Sequence, residues 1–244
     1  MTPGAEQLWL WFYVACMAAG ALLFVVWGRD PRGVPHYEYA VATFIPVWSG
    51  LACMAQALGQ GIVEVNGQTV YVARYLDWLV TTPLLLTTLA FTAMFYAERK
   101  HVSLIVTLIG ADVVMILTGL FADLTAREAV KWLWYGIGCA CLAIIVSIVW
   151  GSLRRIAYDG GKELGRVYTR VTTLLTTLWI GYPVIWALGP SGIGLYGPLA
   201  KTALFVVLPV ISKVGFSIYD LSELRRLGRQ RPSTGVEHAP AVIP

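Results

Sequence analysis

Charge is scarce in this sequence, and its scarcity excludes more than any motif does. Among 244 residues there are 18 Lys and Arg, 14 Asp and Glu and 3 His, so charged side chains make up 13% of the chain. A water-soluble domain carries about twice that share, which removes soluble enzymes. Nucleic-acid binders present a basic face; the formal charge of +4 is gathered on none, and most charges are expected in loops and the tail. Cysteine is equally sparse. Cys16, Cys53, Cys139 and Cys141 lie inside apolar runs without the His or Cys spacing of a metal site, so no metal is expected. The first seven residues hold Glu6 but no Lys or Arg, and no small-residue cleavage site follows the first apolar run, which reads as a retained span.

What fills the chain instead is hydrocarbon: 57% of residues are hydrophobic and the mean hydropathy is +0.68. Stretches long enough for a bilayer core, about 20 residues each, fall near 8–27, 39–58, 72–97, 102–122, 132–150, 171–188 and 202–219. The expected fold is all-α, a seven-transmembrane-helix bundle in the cell membrane. Between the second and third spans, residues 62–72 alternate around Asn66-Gly67, the pair that favours a two-residue turn, and predict a short β-hairpin outside the membrane.

Basic residues set the orientation. Arg29, Arg32, Arg99, Lys100, Arg154, Arg155, Lys162, Arg166, Arg170, Arg225, Arg226, Arg229 and Arg231 fall on one side, and Arg127, Lys131 and Lys201 on the other. Lys and Arg accumulate on the cytoplasmic side, so the N-terminus is extracellular. Residues 1–224 read as one membrane domain, and 225–244, polar with Pro, Ser and Gly, as a cytoplasmic disordered tail. His36, His101 and His238 fall at helix ends or in the tail and are assigned nothing.

Five ionisable residues interrupt the spans: Arg74 and Asp77 in the third, Asp112 in the fourth, Lys213 and Asp220 in the seventh. Each costs several kcal/mol in hydrocarbon unless paired or solvated, so each is a functional candidate. Lys213 lies too deep to snorkel to an interface; a buried amine is a nucleophile suited to a Schiff base with a carbonyl compound. Asp77 is its natural counter-charge. The plainer readings are a lysine paired with an acid and a structural Arg74–Asp77 pair. Trp78, Trp179, Tyr182 and Trp186, with Pro183 kinking the helix, add flat walls for a long planar apolar ligand.

Three strings carry a family resemblance: Arg74-Tyr-Leu-Asp-Trp-Leu-Val-Thr-Thr-Pro-Leu-Leu-Leu, Trp179-Ile-Gly-Tyr-Pro-Val-Ile-Trp and Ser212-Lys-Val-Gly-Phe. Over nearly its whole length the chain resembles the microbial rhodopsins. Within them it is similar to the xenorhodopsin group, through Arg29-Asp-Pro-Arg-Gly-Val-Pro-His-Tyr-Glu-Tyr and Gly189-Pro-Ser-Gly; that group includes a sensory rhodopsin with a soluble transducer and inward proton pumps. The resemblance implies all-trans-retinal as a protonated Schiff base on Lys213, Asp77 as main counterion and Arg74 ordering water on the outer side. It implies a pocket of Trp78, Thr82, Pro83, Met115, Gly119, Tyr135, Gly138, Trp179, Tyr182, Pro183 and Trp186, with Pro209 and Ser212 beside the lysine. Asp112 matches a family aspartate near the retinal ring, read as hydrogen-bonded and structural. Family members commonly form trimers or pentamers, so a homo-oligomer in the lipid bilayer is expected, and no enzyme activity.

Departures from the outward pumps set the expected direction. Where these resemble one another in a second counterion, one turn before Lys213, stands Pro209. Eleven residues after Asp77, about 16 Å further inward, their carboxylic donor is replaced by Thr88, whose hydroxyl reloads nothing quickly. Ser191 and Lys201 replace the paired glutamates of the outer side. Asp220 lies two turns, about 10 Å, inward of Lys213, and Glu38 opens the second helix on the same side. Both are candidate acceptors; a solvated acid near Arg225 and Arg226 is the alternative for Asp220. The expected function is a light-driven inward proton pump. The alternatives are a photosensor signalling to a cytoplasmic transducer and a non-photic seven-helix receptor or enzyme using the lysine for another carbonyl ligand.

Overall fold

In hydrocarbon every backbone polar group needs an internal partner, which leaves helices as the spanning element for a single bundle. The computed structural model describes residues 3–65, 67–97 and 99–229. It contains seven long apolar helices: α1 (Pro3–Gly28), α2 (His36–Ala57), α3 (Val72–Ala93), α4 (Val102–Leu124), α5 (Glu128–Asp159), α6 (Lys162–Leu188) and α7 (Pro198–Arg229). Consecutive helices pack side by side, α7 returns against α1, and α3 touches α2, α4 and α6. Leu22, Val26, Val106, Leu133 and Ile211 stay exposed, as befits faces that meet lipid. The polar side chains Ser49, Asp77, Asp112 and Lys213 turn inward and are buried.

The predicted hairpin is present: β1 (Ile62–Val65) pairs antiparallel with β2 (Gln68–Tyr71), Val65 opposite Gln68. Gly67, with φ 73°, occupies the left-handed turn position; Asn66 lies outside the described residues.

Several helices outrun the expected spans. The connection expected across 151–170 shrinks to Gly160 and Gly161, because α5 continues to Asp159 and α6 starts at Lys162. Arg154, Arg155, Arg166 and Arg170 therefore sit on helix ends, not in a loop; Arg154 lies over the rings of Trp150 and Tyr158 at 5.8 and 5.5 Å. Hydropathy marks the part of a helix that meets lipid, and the backbone ladder continues past it. The expected tail boundary moves for the same reason. Helix α7 runs through Arg229, with Arg225 donating to the Asp30 carbonyl at 3.1 Å and lying 4.7 Å from the Trp27 ring. Residues 230–244, the remainder of the expected tail, lie outside the described residues.

Two helices widen by a π turn. In α7 it spans Val210–Gly215, directly after Pro209, whose missing N–H frees a carbonyl of the preceding turn. Lys213 sits inside it. In α5 the π turn is Val149–Leu153, and Tyr168 donates to the Val149 carbonyl at 2.8 Å.

Candidate functional site

The π turn presents Lys213 to the middle of α3. Its Nζ stands 2.5 Å from Asp77 Oδ2 and donates to Ser49 Oγ at 2.8 Å. Ser49 donates to the same Asp77 oxygen at 2.9 Å and accepts from Tyr13 Oη at 2.6 Å. Thr81, one turn after Asp77, bonds its carbonyl at 2.8 Å and its Oδ1 at 3.3 Å. Lys213 is 1% exposed and Asp77 4%. A charge pair this dry is held only when hydrogen bonds satisfy what the pair itself leaves over, which Ser49 and Thr81 do. Ser49 and Tyr13 carried no signal in the sequence: a serine and a tyrosine in apolar helices are ordinary.

Arg74 does not take Asp77 as its partner. Its guanidinium lies 4.8 Å from the Tyr71 ring and 4.9 Å from the Phe205 ring. It shares with Tyr13, Gln56, Asp77 and Pro209 the wall of a small cavity on the outer side of the ion pair. Burial pushes the Tyr71 phenol up to about 12, and the neighbouring Glu6, which accepts its proton at 2.9 Å, adds to the shift.

A larger apolar slot opens beside Lys213, with about 760 Å³ of space counting its mouth. It is lined by every expected pocket residue among Trp78, Thr82, Met115, Gly119, Tyr135, Gly138, Trp179, Tyr182, Pro183 and Trp186. Pro83 is not in the lining; it is buried within α3. Pro209 faces the small polar cavity instead. Tyr75, Ile116, Cys139, Leu142 and Phe205 complete the wall and were missed, since on apolar helices nothing marks which apolar residue turns inward. The Tyr135 and Trp186 rings stack at 5.0 Å, and Trp78 meets Tyr182 edge-on at 5.3 Å. A Cβ on Gly138 would stand 3.1 Å from Thr118 Oγ1, so glycine keeps that wall thin. Tyr182 Oη lies 2.7 Å from the hydroxyl of Ser212, the residue before Lys213. An elongated flat apolar aldehyde, its carbonyl end at Lys213, fits this arrangement. Thr82 ties the slot to Asp112, donating to Oδ2 at 2.6 Å; Oδ1 has no partner among the described residues.

On the inner side Asp220 is 3% exposed and accepts from Thr92 Oγ1 at 2.9 Å. This is not a solvated helix-end acid: Arg225 engages Asp30 and Arg226 engages Glu163. Thr92 also reaches the carbonyl of Thr88, whose own hydroxyl donates to Leu85. Glu38 is 2% exposed and close enough to Asp220 and Lys100 to interact with both charges. Lys100, in the loop before α4, is pulled below the ordinary lysine range by burial, Glu38 opposing. On the outer side Lys201 Nζ donates to Ser191 Oγ at 2.5 Å and stands 4.0 Å from Asp123 Oδ2. Asp123 lies one residue past the expected fourth span, and nothing in the sequence singles it out.

The sequence profile of the bacteriorhodopsin-like protein family matches residues 4–226. The chain belongs to the bacteriorhodopsin-like family. Archaerhodopsin-1 of Halorubrum ezzemoulense is 34% identical over 245 residues, covering 97% of this chain and 92% of the relative. The thermophilic rhodopsin of Rubrobacter xylanophilus superposes with a TM-score of 0.85 at 32% identity, covering 92% of this rhodopsin and 97% of that one. The light-driven proton pump of Coccomyxa subellipsoidea superposes with 0.80 at 26% identity, covering 91% and 98%. This rhodopsin is a multi-pass membrane protein, not an enzyme, and binds retinal through a Schiff base on a lysine; Lys213 is the lysine the geometry offers. When bound, retinal supplies light absorption and a change of shape on excitation.

Proposed function

We propose that this rhodopsin carries protons inward across the membrane in response to light, in the manner of the xenorhodopsin group. The observation that carries the reading is the unequal distribution of acids about Lys213 Nζ. On the outer side it faces Asp77, and Pro209, one turn earlier on α7, contributes no second carboxylate. On the inner side the hydroxyl of Thr88 is occupied by the Leu85 carbonyl, while Asp220 is buried with Thr92 and Glu38. A proton that leaves Lys213 Nζ inward meets an acceptor, Asp220, about 10 Å away along α7. No inner carboxyl at position 88 stands ready to return it. Replacement then comes from the outer side, through the cavity that Arg74 and Asp77 share. The Coccomyxa neighbour's activity, light-driven proton pumping, supports proton movement; the direction rests on the acids.

Illuminated cells expressing the protein are expected to make their medium more alkaline, with the change abolished by a protonophore. Acidification overturns the proposal. The single carboxylate at Lys213 suits a slow sensory cycle equally well, and an intact photocycle without any pH change selects signalling to a cytoplasmic transducer.

A further inference from the structure

Asp123 plays no part in the reading above, yet four helices converge on it. It closes α4; its carboxylate accepts from Tyr75 Oη on α3 at 2.6 Å and from Trp186 Nε1 on α6 at 2.8 Å, and Lys201 Nζ of α7 stands 4.0 Å away. Its side chain is 7% exposed and that of Lys201 13%. Ser191 and Lys201, which occupy the places of the outer glutamates of outward pumps, are hydrogen-bonded to each other at 2.5 Å. Read by position along the chain, the outer acids are missing. Read in space, a different helix has brought one to the same mouth. Trp186 and Tyr75 also line the retinal slot, so the carboxylate touches the pocket wall as well as the outer surface.

The ionisable groups facing Asp123 are Tyr75 on α3 and Lys201 on α7, and Arg74, next to Tyr75, acts on Lys201 through space. Helix α6 presents neutral Trp186, and the loop after it neutral Ser191. Arg127 lies in the loop before α5, and the charges opening α5, Glu128 and Lys131, pair with each other at 2.6 Å.

We infer that Asp123 is the outer proton-exchange group of this rhodopsin, the acid that trades protons between the external medium and the Arg74 and Asp77 side of Lys213. The carboxylate takes a proton from external hydronium, leaving water, and gives it up inward, returning to the carboxylate. The inference rests on the proton-transport reading, and its test is separable from that reading's.

The full-length rhodopsin, reconstituted with retinal in sealed vesicles, is flashed while the pH on its outer face is varied. Recovery of the visible band reports the return of a proton to Lys213 Nζ. In the wild type this rate follows the outer pH. In Asp123→Asn, whose one oxygen can still accept from Trp186 and whose amide can donate to Tyr75 Oη, recovery slows by about tenfold or more and its dependence on outer pH flattens; Asp123→Glu retains the dependence. A light-induced infrared carboxyl band is expected to shift in Asp123→Glu and vanish in Asp123→Asn. Equal rates and equal outer-pH dependence in wild type and Asp123→Asn overturn the inference. If Asp123→Asn yields no pigment, Lys201→Gln decides: a displaced midpoint of the outer-pH dependence supports the role, and an unmoved one overturns it. A wild type that leaves the medium pH unchanged refutes the transport reading alone, since the recovery measurement still reports on Asp123.

Discussion

Lys213 and Asp77 are among the most expensive pairs to bury in the molecule, and their neighbours show how the cost is met. Ser49 bonds both charges, Thr81 covers the second oxygen, and Tyr13 backs Ser49. Lys213→Ala is expected to yield a colourless protein when retinal is added, measured as loss of the visible band. Asp77→Asn is expected to red-shift that band, because removing the negative charge 2.5 Å from Nζ destabilises the localised ground state most. Stripping one partner from a buried pair costs about 3–5 kcal/mol, so the same variant should unfold more readily on thermal denaturation. Thr92→Val leaves Asp220 without its hydroxyl donor. An unsatisfied buried acceptor costs about 1–3 kcal/mol, and the infrared carboxyl signal of Asp220 should move. At this scale the sequence was legible where a charge stood in hydrocarbon, as with Lys213, Asp77, Asp112 and Asp220. It was silent on Ser49, Thr92 and Asp123, whose significance comes from partners 28 to 164 residues away on other helices.

Elements explain how those side chains meet. Pro209 opens α7 into the π turn that carries Lys213, and α1 packs directly on that turn: a Cβ on Gly20 would stand 2.7 Å from Val214 Cγ2. Gly20→Ala is expected to destabilise by about 1–3 kcal/mol through overpacking, read as faster thermal bleaching. At the inner end the loop between α1 and α2 clasps α7, where a Cβ on Gly228 would meet the Arg32 carbonyl at 2.5 Å and Arg225 pairs with Asp30 at 3.5 Å. The Asp30 carboxyl is held below 3.8 by the Arg32 hydrogen bond first, then by the charges of Arg32, Arg225 and Arg229. A lowered value means that the folded form binds fewer protons than the unfolded one. The clasp therefore contributes fully above about 3.8 and fades as pH falls through the folded value. Hydrogen exchange in residues 29–34 should accelerate there, and Asp30→Asn should show the faster rate at neutral pH. The seven spans were legible because a bilayer core fixes their apolar length. The ends of α5, α6 and α7 were not, because Arg154, Lys162 and Arg225 are equally at home in a loop or on the last turns of a helix.

For the whole molecule, direction of transport is a matter of which half holds the reachable acid. The inner half offers Asp220 with Glu38, the outer half Asp77 and, beyond Arg74, Asp123. The sequence marked Glu38 as an acid opening α2, but not its burial, which depends on packing between helices that no single-chain pattern displays. Exchanging the proposed inner acceptor for its neutral isostere, Asp220→Asn, should abolish light-driven alkalinisation of the medium while leaving the colour in place. The most direct test of direction is the sign of the photocurrent in whole-cell voltage clamp at zero applied voltage and equal pH on both sides. An inward current upon illumination is predicted. A steady outward current would contradict the account, however well the retinal site is confirmed.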